Sequence, residues 1–406
     1  MTGQQRQGNE SLITRVLNRI VGRRENVLNG NVNCIPSSLV RFRNDFVGIQ
    51  QARYYLISAH QKGAKTQFTS WMFIYEPLLY AYRNPDKVRI KIFWYPLEET
   101  KETITLRFMS FLLYTLSNHS IRISPEDLES TNENKILDER IIELLKSDEY
   151  QKLLNWFEEH VIFEESSNPT GMHKDLNTYA RENGTIHTKE LVFVDKQTGE
   201  KRTKNVFDYY EPNDPNEYVM IVWDHISLTT PEKGMDLRNT IATLSEYMVD
   251  LRNRYGYIPV IIQQQSTETQ NLDAFKNNKI RPTVAGLADC KYTARDCNVM
   301  LGLSNPYAFE IPKYQGYDIM KMRNNIRFLE VVVNRNGNSN GMIALYFDGA
   351  VNFFAEMPTY DNEHALNSVY NLLRRIREEA NPTITMFFHS IKKTLNFVFQ
   401  NLSWKQ

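Results

Sequence analysis

Residues 53–66 read RYYLISAHQKGAKT, and the fold turns on what this stretch does. After Arg53 comes a short apolar run ending at Ala59, then a polar loop. The segment QFTSWMFIYEPLLYAY that follows is long enough for a helix. Strand, loop, helix is the arrangement in which backbone amides curl around phosphate oxygens. A lysine then serves the outer phosphates and a Ser/Thr hydroxyl serves Mg²⁺. Lys65 and Thr66 stand where the pattern GxxxxGK[ST] requires them. Its two glycines are absent, because Ala59 and Ala64 occupy those places and Gly63 sits one residue early. Ala59, His60, Gln61, Lys62, Gly63, Ala64, Lys65 and Thr66 are therefore the candidate loop for ATP with Mg²⁺. Alone the motif is weak. A Lys-Thr pair at a helix start is more often a solvated helix end, and a Cβ restricts the backbone angles that glycine tolerates.

Outward from this loop, apolar runs alternate with helical stretches. VRIKIFWY (88–95), EYVMIVWD (217–224), YIPVIIQQQ (257–265), NVMLGLS (298–304), RFLEVVVNR (327–335) and MIALYFDG (342–349) read as strands, and KETITLRFMSFLLYTLS (101–117) as a helix. The alternation predicts an α/β fold, a mostly parallel sheet covered by helices on both faces, with antiparallel strands toward the end. Ligands of such sheets bind at the carboxyl ends of the strands. Asp224 ends one apolar run there, where an acid can hold Mg²⁺ or merely cap the next segment. Glu98 and Glu99 follow another, and a carboxylate at that edge can activate water. The pattern leaves open which of the two faces the site. Gln263, Gln264 and Gln265 end a third strand, where an amide can sense a terminal phosphate.

The ends of the chain are of other character. SLITRVLNRIVGRR (11–24) puts Leu12, Ile13, Val16, Leu17, Ile20 and Val21 on one helical face, followed by an Asn/Gly-rich tether. That face either folds back on its own domain or docks on a neighbouring subunit. Residues 118–167 are charged and helical in pattern. ELVFVD and KNVFDYY flank a glycine-containing turn, which predicts a hairpin insertion over 185–217. After residue 358 come two helical candidates, one stopped at Asn381-Pro382 and the other ITMFFHSIKKTLNFVFQNLSW (384–404).

Composition removes several function classes. Lys+Arg 48 balances Asp+Glu 48, so a protein that coats polyanions is disfavoured while a locally lined nucleic-acid channel is not. Cys34, Cys290 and Cys297 are odd in number and fit no metal-site spacing. There is no apolar leader and no run of membrane-spanning length, so no membrane partner is expected and the reading is cytoplasmic.

Taken in order, these segments resemble the motor domain of bacterial and phage DnaB-type replicative helicases. The resemblance is carried by NCIPSSLVRF (33–42), YYLISAHQKGAKT, FWYPLEETKETITLRFMS (93–110) and NPTGMHKDLNTYARENG (168–184), then by IVWDHISL, IPVIIQQQS, CKYTARDCNVMLGL (290–303) and EVVVNRNGNSNGMIALYF (330–347). It implies a RecA-like P-loop core over 33–357, against which 185–217 stands as an insertion, and a linker helix and tether over 1–32; the helical tail over 358–406 lies outside the match. It puts the catalytic glutamate on Glu98, the Mg²⁺ acid on Asp224 beside Thr66, and the sensor amide on Gln265. Arg335 becomes an arginine that reaches a neighbouring subunit's nucleotide. The family packs its linker helix on the adjacent protomer, which favours docking for 11–24.

Four positions depart from the family: the P-loop alanines Ala59 and Ala64, Val333 where a trans lysine stands, and Ala288 where the DNA-loop arginine stands. Lys291, with Lys279 and Arg281 upstream, are then the nearest candidates for DNA contact. The implied activity is an ATP-driven helicase, a ring of six or another number, with single-stranded DNA in its channel. A primase or loader is a further candidate partner, and the location is the host cytoplasm if the chain is phage-encoded. Two competitors are a structural ring protein that has lost hydrolysis and a recombinase-type filament ATPase.

Overall fold

The computed structural model describes residues 11–194, 199–266 and 280–379. Fifteen strands lie among the described residues, beginning with β1 (Ile35–Pro36), β2 (Gly48–Ile49), β3 (Tyr55–Ala59), β4 (Arg89–Pro96), β5 (Val161–Phe163), β6 (Gly184–Val194), β7 (Lys201–Pro212) and β8 (Glu217–Asp224). The rest are β9 (Ile258–Gln264), β10 (Val299–Ser304), β11 (Lys313–Tyr314), β12 (Tyr317–Asp318), β13 (Ile326–Asn334), β14 (Met342–Asp348) and β15 (Phe353–Glu356). Nine of them form one sheet in the order β15-β14-β13-β10-β3-β9-β8-β4-β5. From β10 to β5 every pairing is parallel, and β13, β14 and β15 close the other side antiparallel. The predicted α/β sheet is therefore present, with β5 and β15 as strands the apolar patterning did not single out.

The central strands are apolar on both faces because helices cover both. Every residue of β3 is buried, as are seven of β8. On one face Phe68, Phe73, Phe108 and Phe111 pack against Ile57, Ile92 and Val222; on the other Leu244, Met248 and Trp223 pack against Leu56 and Ile261. The helices that build these layers start and stop on local chemistry. At the start of the helix Lys101–Leu116 the Thr100 hydroxyl accepts from the Thr103 amide. At the start of the helix Leu237–Tyr255 Asp236 accepts from Asn239, and Gly256 ends that helix at φ +74°.

Two appendages stand off this body. β6 and β7 pair antiparallel as a mostly exposed hairpin, with residues 195–198 outside the described residues. The N-terminal helix α1 runs Leu12–Leu28, longer than predicted, and buries none of its residues. Its polar side touches the hairpin, where Arg15 pairs with Asp208 at 3.5 Å and lies over the Tyr209 ring. Leu12, Ile13, Leu17 and Ile20 are each more than half exposed. At the other end the first tail helix spans Glu363–Glu379. The second, 384–404, lies outside the described residues. Among the described residues no helix is long and apolar enough to cross a membrane.

Candidate active site

The loop after β3 makes a tight turn in which the Gly63 amide donates to the His60 carbonyl at 3.0 Å. A Cβ on Gly63 would lie 2.6 Å from the Ala59 Cβ and 2.8 Å from the His60 carbonyl oxygen. The displaced glycine is therefore required where it stands. Ala64 precedes the helix α2 (Lys65–Ser70) in the left-handed region, at φ +68° and ψ +33°, with no side chain capping the helix start. That conformation costs an L-residue roughly 1–2 kcal/mol. The loop thus keeps the shape that glycine at 64 would adopt freely, and bears strain for it.

Two residues, Asn305 and Arg327, anchor this loop, and Asn324 bonds to both of them. The Asn305 Nδ2 donates to the Lys62 carbonyl at 3.1 Å and to the Asn324 Oδ1 at 3.2 Å. The Arg327 Nε donates to the Gly63 carbonyl at 3.2 Å. Sequence patterning did not single out any of the three. A lone arginine inside the apolar run RFLEVVV was the available signal.

At the ends of the neighbouring strands the acids converge. The Thr66 Oγ1 donates to Asp224 Oδ1 at 3.2 Å. Asp224 is only 3% exposed. Burial pushes its carboxyl up to about 7, and Glu98 and Glu99 push the same way, while Lys65 and the Thr66 hydrogen bond pull it down. Lys65, Thr66 and Glu98 therefore all act on Asp224 at the strand ends. Glu98 is half exposed, with Oε2 3.8 Å from the Nε2 of His225. Glu99 instead pairs with Arg107 on the helix that follows. The two adjacent glutamates are thus distinguished by their partners, Glu98 lying beside His225 and Glu99 held by Arg107.

Among the described residues no group of three or more His, Cys, Asp or Glu gathers to hold a metal by itself. A single buried acid beside a hydroxyl suits Mg²⁺, which takes one or two carboxylates and fills its remaining positions with phosphate oxygens and water. The donor set therefore fits a cation that arrives with a nucleotide.

The three glutamines at the end of β9 divide by face. Gln265 is 2% exposed; its Nε2 donates to Ser58 Oγ at 2.8 Å and to the Thr283 carbonyl at 3.2 Å, and its Oε1 accepts from the Thr283 amide. Gln263 Nε2 donates to the carbonyls of Ala288 and Cys290. These amides are spent on tying the strand end to residues 283–290 and, through Ser58, to β3. Gln264, in register with Ala59, shares the sheet face of the loop.

Arg335 lies elsewhere. It follows β13, whose Asn334 pairs with Val299, and Val299 pairs with Tyr55 at the start of β3. The loop begins at the other end of that strand, about 13 Å away along the sheet. The Arg335 Nε donates to the Cys297 carbonyl at 2.8 Å, and the residue is exposed.

Of the DNA candidates, Arg281 is engaged by Glu330 through both of its oxygens. Lys291 is exposed. Lys279 lies outside the described residues.

No protein-family model matches the chain, and no curated protein matches it. Solved structures do. One solved ATPase domain superposes with a TM-score of 0.57 at 14% identity, covering 86% of this chain and 100% of that one. A DnaB-like replicative helicase, described with its interactions with primase, superposes with a TM-score of 0.56 at 14% identity, covering 86% of this chain and 68% of that one. The RadB recombinase fits more loosely, with a TM-score of 0.41 at 10% identity. The mixed nine-stranded sheet with its strand-end loop is the RecA-like fold of DnaB-like helicase ATPase domains.

Proposed function

We propose that the chain is an ATP-driven motor that assembles head to tail into a ring, most simply a hexamer, and translocates on single-stranded DNA to unwind duplex. One observation carries this reading. Lys65, Thr66, Asp224 and Glu98 gather at one edge of the sheet, while Arg335 stands at the opposite edge. A monomer with that layout has an incomplete site. A head-to-tail ring, whose contacts join unlike surfaces, brings the two edges together at every interface.

In this reading the loop amides and Lys65 hold the phosphates, and Glu98 orients and deprotonates the attacking water. Thr66 and Asp224 hold Mg²⁺, which when bound neutralises charge on the outer phosphates. Arg335 of one subunit meets the charge that spreads on the neighbour's phosphates in the transition state. Gln265 links β3, through Ser58, to the segment that carries DNA contact. Lys291 is the exposed cation there, with Lys279 upstream and Arg281 already occupied by Glu330. The bare apolar face of α1 docks on the adjacent subunit. A primase or loader would be a further partner.

The test is ATP hydrolysis with and without single-stranded DNA, with Lys65→Ala and Glu98→Gln as controls. DNA-stimulated phosphate release, lost in both variants, is expected. Release that neither variant changes would reject the site. A second reading, a ring that binds nucleotide without turnover, is favoured by the strained Ala64 and by Val333. It predicts nucleotide binding that needs Lys65 and no phosphate release at all.

A further inference from the structure

Arg327 is a buried cation that the proposed reaction does not use. It is 1% exposed, and among the described residues no carboxylate pairs with it. Its donors go to neutral oxygens: the Gly63 carbonyl, the carbonyls of Asn324 and Ile326, and Asn324 Oδ1. Its guanidinium lies 4.5 Å from the centre of the Phe347 ring. Burial lowers its pKa to about 9, so it stays charged at neutral pH. An uncompensated charge inside a protein is costly, and such groups are ordinarily paired. Here the nearest functional element is the underside of the loop itself.

The geometry says what the charge does. In a trans peptide the carbonyl and the following amide point in opposite directions. Drawing the Gly63 carbonyl down onto Arg327 therefore turns the Ala64 amide up, toward the mouth of the loop. It also fixes the peptide that leads into the left-handed Ala64. Asn305, bonded to the preceding carbonyl, holds the neighbouring peptide. Glycine at 64 would adopt this conformation without help. With alanine there, the conformation needs an external clamp.

We infer that Arg327 is a positioning residue of the nucleotide loop, a clamp on the Gly63–Ala64 peptide that compensates for the missing glycine and backs the phosphate chain with a fixed positive charge. The inference rests on the reading of residues 59–66 as the nucleotide loop. It deepens that reading in two ways. The loop should favour the more highly charged phosphate chain, triphosphate over diphosphate. Residues 327 and 64 should also be energetically coupled.

The experiment measures binding of Mg-ATP and Mg-ADP by calorimetry to full-length wild type, Arg327→Met, Ala64→Gly and the double variant, with melting temperature as the check on folding. Loss of a charge-assisted hydrogen bond predicts that Arg327→Met weakens ATP by about tenfold. ADP should be weakened by a smaller factor. Adding Ala64→Gly to Arg327→Met should recover about threefold or more, while the same change in wild type moves affinity less than about twofold. A folded Arg327→Met that binds ATP within about twofold of wild type overturns the inference, as do equal effects of Ala64→Gly in both backgrounds.

Should Arg327→Met fail to fold, Arg327→Lys takes its place, keeping the charge but not the fork. Weakened ATP binding that Ala64→Gly rescues then supports the clamp, and unaltered binding overturns it. Lys65→Ala separates the two levels of the argument. If it too leaves ATP binding unchanged, the nucleotide-loop reading itself is wrong. If it abolishes binding while the Arg327 variants do not, only the clamp is wrong.

Discussion

Asp224→Asn should make the nucleotide-free protein more stable while removing its turnover. Asp224 is 3% exposed and its carboxylate accepts a hydrogen bond from Thr66, which an asparagine oxygen can still accept. Burial raises its carboxyl from 3.8 to about 7. Between those values the folded state holds a proton that the unfolded state has released. Stability from this group is therefore fully present below the lower value, falls as pH rises through the window, and is lost above the upper one. At 1.36 kcal/mol per unit, the penalty is on the order of 4 kcal/mol at pH 8. Asparagine carries no such penalty. Urea denaturation of both proteins without Mg²⁺ or nucleotide, stepped from pH 4 to pH 8, should show the variant gaining an advantage that grows with pH toward this size. An advantage that is flat with pH, or a variant less stable at pH 8, would refute the reasoning. The functional meaning is that a buried acid, only partly offset by Lys65 and Thr66, costs stability until a metal cation arrives.

Other outcomes follow from the same geometry. Glu98→Gln should lower turnover by about a hundredfold or more, as loss of a general base does. Glu99→Gln, which gives up the part-buried Arg107 pair and the smallest of the effects on Asp224, should stay within about fivefold because it removes no group that activates water; phosphate-release rates showing the reverse order would exchange their roles. Ala64→Gly should stabilise the fold by about 0.5–1 kcal/mol, the left-handed cost less the entropy that glycine adds, and a drop in the urea midpoint would contradict the strain. Gln265→Ala severs the bridge between Ser58 and Thr283, so basal hydrolysis should persist while its stimulation by single-stranded DNA is lost. Stimulation at the wild-type level would remove Gln265 from the coupling.

Much of the architecture could be read directly because the parallel strands are near-continuous apolar runs that stop at polar residues. YVMIVW halting at Asp224 and IKIFWYPL at Glu98 marked the edge where a site would form. β5 is three residues long and β15 is four, too short for periodicity to separate from loop. Long-range pairing was hidden for a different reason. Arg281 looked like a free cation, yet Glu330, 49 residues away in sequence, folds onto it. The choice between Glu98 and Glu99 likewise depended on Arg107, one helix further on. Arg327 was the least visible of all, since an arginine near the start of a largely apolar strand reads as a residue at the rim until the fold buries it under the loop.

The central claim is that each site is finished by a neighbour, and mixing two inactive variants tests it most directly. Lys65→Ala lacks a working loop but keeps its arginine; Arg335→Ala keeps its loop but lacks the arginine, and alone should bind ATP while turning over roughly a thousandfold slower. Randomly mixed in one ring, about a quarter of the interfaces would pair an intact loop with an intact arginine, since each head-to-tail contact draws one surface from each subunit. The account predicts that DNA-stimulated hydrolysis returns on mixing to about that fraction of wild type. Hydrolysis that stays at the level of the separate variants, although mixed rings form, would contradict it.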